Sequence, residues 1–196
     1  MLIVCWSILF VIGCQRHVAG TPESGGGVDT LPLGLAAVEE ISGFHGLTRE
    51  VDSDEPMPDT YLPDGPCHAM ADQGVAYGAT WLQFRSVADS AKLTANRLAP
   101  VASVAQTLIA YPDALAAHEV FDRHANTMTE CAALEIPGLA GAVTRPDSRT
   151  ASWLTDGMAT VFAIEATTLV AVSVVALPDA ARIASDVSQA IIDRIR

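Results

Sequence analysis

Twenty residues, Met158 to Leu177, carry a single charge, Glu165. A run this long and apolar is either a membrane-spanning helix or a pair of buried strands, and the two lead to different proteins. Its composition favours strands. Thr160, Val161, Ile164, Thr167, Thr168, Val170, Val172, Val174 and Val175 are β-branched. Such side chains lose rotamer freedom in a helix and pack well on a pleated surface. The run therefore predicts a hairpin of two buried strands that turns near Glu165–Thr167.

The chain on either side supports an architecture in which strands lead into helices. Val101 to Tyr111 is strand-like, and Pro112-Asp113-Ala114 then opens a helix that ends at Cys131. Leu169 to Leu177 is strand-like again, and Pro178-Asp179-Ala180 opens a helix that ends at Ile195. Proline has its φ preset for a first helical turn, and aspartate near a helix start meets the positive end of the dipole. One face of the last helix carries Ala180, Ile183, Ala184, Val187, Ile191 and Ile195. The earlier helix presents Ala117, Val120, Phe121, His124, Met128 and Cys131 in the same way. The two modules align without a gap, either by duplication or by two independent uses of one turn.

The first half is less regular. Leu33 to Gly43 predicts a short helix with glycine as its stop, and Leu47 to Val51 an edge strand. Asp52 to Pro66, rich in acids and proline, reads as a solvated loop. Cys67 to Ala71 suits a turn or two of helix. Gly74 to Ala88 reads as an irregular strand, because Leu82 and Phe84 alternate with Gln83 and Arg85.

The N-terminus bears on location. Met1 to Gly13 read MLIVCWSILFVIG, with no charge, and Cys14 follows Val11-Ile12-Gly13. This has the length of a signal-peptide apolar region and resembles a bacterial lipobox. An ordinary cleaved signal and a buried strand are the alternatives. The lipobox reading makes residues 1–13 a signal peptide and Cys14 the lipidated mature N-terminus. A diacylglycerol thioether with an N-linked acyl chain such as palmitate anchors stably. Residues 14–31, rich in Gly, Ser, Thr and Pro, read as a flexible tether, and 32–196 as one folded domain. The expected location is the extracytoplasmic face of the cell membrane.

A net charge of −12 argues against nucleic-acid binding, which needs a basic patch, and against electrostatic attachment to anionic lipid. With Cys5 in the signal and Cys14 lipidated, Cys67 and Cys131 remain. In an exported chain the simplest outcome is one disulfide; two separate buried thiols are the alternative. No GxSxG, HExxH, GxGxxG or phosphate-loop pattern occurs, and the histidines lack metal-ligand spacing. No catalytic residue, metal or cofactor is therefore expected, and the chain reads as a non-enzyme. His124, on the apolar face, is expected to be satisfied and partly buried. Tyr77, Trp81 and Gln106 are candidates for a ligand site. The aromatics serve as core or as a cleft lining. Gln106 is a long polar side chain inside an apolar strand, so it must find a partner, and a backbone partner is favoured over a ligand.

The ordered set of Val104-Ala105-Gln106 entering Tyr111-Pro112-Asp113-Ala114, Cys131 at a helix end, Asp156-Gly157-Met158 and the Val-rich strand before the last helix resembles the PknH-like extracytoplasmic sensor domain of mycobacteria. The likeness spans about Pro32 to Arg196 and, with the lipobox, points to a free-standing lipoprotein member. It implies an α/β sandwich of the α+β kind, a mostly antiparallel sheet with helices packed on it, and a cleft that takes a ligand. The function implied is a lipid-anchored, non-catalytic ligand-binding or sensor-like domain of the cell envelope. A structural or protein-interaction envelope lipoprotein is the alternative. The membrane, through the lipid, and an unknown small molecule or envelope component are the implied partners. Members usually carry two disulfides. Here Val174–Ala176 supplies no cysteine, so one can form, and the stretch between Ala140 and Trp153 looks shortened.

Overall fold

The computed structural model describes residues 27–93 and 101–196. The apolar segment 1–13, Cys14 and the tether as far as residue 26 lie outside the described residues. Among those described, seven strands form one antiparallel sheet: β1 Thr48–Ser53, β2 Gln83–Lys92, β3 Val101–Ala110, β4 Gly141–Thr144, β5 Thr150–Thr155, β6 Met158–Glu165 and β7 Thr168–Val175. Their order is β1-β2-β3-β7-β6-β5-β4. The long apolar run is the hairpin β6–β7, paired from Met158↔Val175 to Glu165↔Thr168. The chain reverses through Ala166, whose φ is 54°. No helix among the described residues is long and apolar enough to cross a membrane.

The sheet is covered on both faces, which explains why its middle strands bury apolar side chains on both. On one face Val104, Leu108, Val161, Val170, Val172 and Val174 pack with α1 (Leu35–Ser42) and α5 (Ala180–Ile195). On the other face Phe84, Ile109, Phe162, Ile164, Leu169 and Ala171 pack with α2 (Pro66–Ala71), α3 (Gln73–Tyr77) and α4 (Ala114–Ala132). The two sets alternate along β7, as the pleat requires. Helix α5 buries Ile183, Ala184, Val187 and Ile191, and α4 buries its whole expected stripe from Ala117 to Cys131. Each large aliphatic side chain so buried contributes about 1.5–3 kcal/mol, so the stripes seat the helices.

The two Pro-Asp-Ala modules deliver their helices to opposite faces, and their caps differ accordingly. Asp113 is extended, and its carboxylate accepts the Ala116 N–H at 2.8 Å. Asp179 is left-handed, with φ 56°, and makes no such bond. A second left-handed residue, Ala176, turns the chain just before it. The gapless alignment thus reflects a shared proline-led helix start rather than a shared local structure.

Two expectations need correction. First, Gly74–Tyr77 is helical. Asp72 caps α3 by accepting the Val75 N–H at 2.9 Å, and the strand begins only at Gln83. Second, the packed unit starts before Pro32. Val28, in a 3-10 turn over Val28–Thr30, is buried in the core, and its N–H donates to Gln83 Oε1 at 3.2 Å. Residues 28–31 therefore belong to the domain and not to the tether. The stretch between Ala140 and Trp153 holds β4 and the start of β5, and β5 buries Trp153 completely.

Candidate functional site

Helices α2 and α3 are too short to hold a position alone, since helix nucleation is costly. Their fixing comes from α4 and the sheet. Cys67 and Cys131 form a disulfide with Cα atoms 4.8 Å apart, joining α2 to the C-terminal turn of α4. Arg123 of α4 donates to the Ala76 carbonyl at 3.3 Å, and the Tyr111 hydroxyl donates to the Tyr77 carbonyl at 3.0 Å. These three ties hold α2–α3 over the sheet as a wall.

Between that wall and the sheet lies a cleft of about 270 Å³. The wall supplies Met70, Gln73 and Tyr77; the floor supplies Ala105, Thr107, Thr160, Phe162, Ala171 and Ser173; Leu139 and Met158 complete the lining. The hollow has a simple origin. Elsewhere the same sheet face carries Ile109, Ile164, Leu169 and Trp153, whereas here, Phe162 apart, it carries alanine, serine and threonine. The floor hydroxyls pair across strands. Ser86 and Thr107 are 3.0 Å apart, as are Thr160 and Ser173. No charged side chain among the described residues lines the cleft. Burial raises the Tyr77 phenol, so it stays neutral.

His124 stands beside this wall. Its ring stacks on Tyr77 with centroids 5.7 Å apart and packs against Phe162 at 4.1 Å. Burial, helped by the positive charge of Arg123, lowers its pKa to about 3, so the imidazole is neutral. The expectation of a satisfied, partly buried histidine is corrected: the residue is fully buried, and Nε2 has no hydrogen-bond partner. It is a core ring, placed by its aromatic neighbours.

The three ligand candidates fall in different places. Tyr77 lines the cleft. Trp81 lies between α3 and β2 and packs on Phe84, with centroids 5.9 Å apart. Gln106 belongs to the opposite face. Its Oε1 accepts the Leu33 N–H at 2.7 Å, and its Nε2 donates to the Leu33 carbonyl at 3.2 Å. It clamps the segment before α1 onto β3, the backbone partnership its position demanded. Sequence reasoning missed Thr107, Thr160 and Ser173. Their signal was a run of small and polar residues at one parity of β3 and β7, Ala105-x-Thr107 and Ala171-x-Ser173.

A second hollow of about 300 Å³ opens on the other face, between α5 and the β4–β6 edge. It is lined by small and aliphatic residues such as Ala142, Ser152, Leu154, Val161 and Ala181. Its hydroxyls, Thr144, Thr150, Ser152 and Ser185 beside the shared Thr160, are more exposed than those of the first, and Thr144 and Ser152 pair with each other at 2.8 Å. No group of three or more His, Cys, Asp or Glu side chains among the described residues is placed to hold a metal.

A profile of the PknH-like extracellular domain matches residues 24–194, nearly all of the chain. The protein belongs to the PknH-like extracellular domain family. A solved relative, the extracellular domain of PknH from Mycobacterium tuberculosis, superposes with a TM-score of 0.60 at 16% identity, covering 84% of this chain and 92% of that one. The α+β fold is therefore shared with that domain, and family membership suggests a location outside the cytoplasm. No curated protein matches the chain.

Proposed function

We propose that this PknH-like domain is a non-catalytic ligand-binding module, held on the extracytoplasmic face of the cell membrane by a lipid on Cys14. The observation that carries the binding reading is the cleft: a rigid antiparallel floor, a wall pinned by a disulfide, and buried polar groups converging on an apolar hollow. The non-catalytic reading draws on the same groups. The floor hydroxyls bond to one another, and acyl or phosphoryl chemistry would need a base beside them. The lipobox at Val11–Cys14 supports the anchor.

Two measurements test this. Mass spectrometry of the native protein should find a co-purified small molecule that is lost in Ala171→Phe, where a bulky ring fills the floor. A molecule retained by that variant would place binding elsewhere. Cys14→Ala should leave the membrane fraction or stay unprocessed; a mature, lipid-modified Cys14→Ala protein would refute the anchor.

A further inference from the structure

We infer that the cleft is built for an uncharged amphiphile, a sugar or polyol head joined to an apolar segment, rather than for an ion. The inference rests on the cleft being a binding site. Its polar groups are all neutral and all of the kind that both donates and accepts. In the Thr160–Ser173 pair two O–H groups meet, and only one is consumed by the 3.0 Å bond between them. The pair keeps one free O–H and unused lone pairs. The same arithmetic holds for Ser86–Thr107. At the wall, Gln73 uses its Oε1 on the Met57 N–H at 2.9 Å, a bond that leaves the amide N–H groups unengaged. A hydroxylated ligand matches such a set, because each of its groups can answer either role.

Ions fit poorly for separate reasons. An anion would leave water with no cationic side chain in the lining to receive it. It would also meet a net charge of −12 on the chain and an acidic segment, from Asp52 through Asp54, Glu55, Asp59 and Asp64 to Asp72, leading into the wall. A cation gains from that field outside the cleft, but inside finds no carboxylate. The remaining lining is apolar. Met70, Met158, Leu139 and Phe162 offer an adaptable thioether and aromatic surface to a hydrocarbon segment. The volume of about 270 Å³ lies near the lower end of ligand pockets, roughly 300–1,000 Å³, and suits one ring-sized head with a short apolar stem.

The test uses three probes that differ only at the sixth carbon of the sugar: octyl glucoside, octyl glucuronide and octyl 6-amino-6-deoxyglucoside, each below its micelle concentration. The full chain carrying Cys14→Ala, labelled at alanine and methionine methyls, is titrated by NMR. The neutral glucoside should shift Ala105, Ala171, Met70 and Met158. Both charged probes should bind there about tenfold to a hundredfold more weakly, the factor expected when a charge is buried without a partner. The double variant Thr160→Val/Ser173→Ala removes both members of a pair, which spares stability. It should weaken the glucoside about tenfold while octanol still shifts the same methyls. Charged probes that bind these methyls as tightly as the glucoside would overturn the ligand class and leave the cleft standing. Failure of the glucoside to shift them would overturn the class as well. The cleft reading itself is then decided by the Ala171→Phe co-purification result.

Discussion

Removing the disulfide should loosen the cleft wall before it loosens the sheet. The bridge joins residues 64 apart in sequence. On the chain-entropy relation a loop of that length restricts the unfolded chain by about 4 kcal/mol, against measured losses of roughly 2–5 kcal/mol for native disulfides. That is a large share of a typical total of about 5–15 kcal/mol. The double variant Cys67→Ala/Cys131→Ala is the cleanest perturbation, since it leaves no stray thiol. Global loss should appear as a lower urea midpoint; the slope should rise as the unfolded chain expands without the cross-link, and fall if the wall detaches in the native state. The local effect discriminates further. Without the bridge, α3 still has the Arg123 and Tyr111 bonds to its Ala76 and Tyr77 carbonyls, whereas α2 is left with its apolar packing. Amide exchange should accelerate across residues 66–77 well before it does in β3 and β7, whose strands are paired on both sides. A stability loss under about 1 kcal/mol would refute the loop-closure argument. Equal acceleration in β7 and α2 would refute the claim that the bridge serves the wall in particular.

Other perturbations have equally definite outcomes. His124 has its pKa lowered from 6.5 to about 3 by burial, so the unfolded chain takes up its proton first as pH falls. Its contribution is complete above pH about 6.5 and drains away down to pH about 3, a loss of several kcal/mol in chemical denaturation; His124→Phe should flatten that part of the pH profile. Gln106→Leu strips partners from the buried N–H and carbonyl of Leu33 and should cost about 2 kcal/mol or more in urea unfolding, with probe binding in the cleft unchanged because Gln106 faces α1. At Gly141 an added Cβ would collide with the backbone carbonyl of Leu154, which has no side chain to swing aside. Gly141→Ala should therefore release β4, seen as lost amide protection over residues 141–144 while β6 and β7 stay protected.

What could be read from the chain followed local rules. The β-branched run Met158–Leu177 declared a hairpin, because branching at Cβ acts residue by residue. The stripes of α4 and α5 were legible because helical period fixes a face without reference to the rest of the fold. Gly43, left-handed with φ 65°, ended α1 as its residue type suggested. Local rules failed where a partner decides. Gln73–Tyr77 reads as well as strand as helix, and what settles it is the Asp72 carboxylate at the Val75 N–H together with the carbonyl ties from Tyr111 and Arg123. Residues 141–144 hold no apolar alternation strong enough to announce an edge strand; β4 exists because β5 offers it a ladder.

The cleft was hidden for a related reason. Its floor joins residues as far apart in sequence as Ala105 and Ser173, and only register brings them together: Thr107↔Ala171, Ala105↔Ser173 and Thr160↔Ser173, with Ser86↔Thr107 beside them. A shift of one residue in these pairings would turn the hydroxyls toward α1 and α5 and put an apolar neighbour such as Leu108, Val161 or Val172 in their place. Gln106 shows the same logic from the other side. One residue away from Ala105 and Thr107, it lies under α1, and its amide is spent on Leu33. The polarity of β3 thus carries two meanings by parity alone. Even-numbered Gln106 fastens the fold, and odd-numbered Thr107 opens the site.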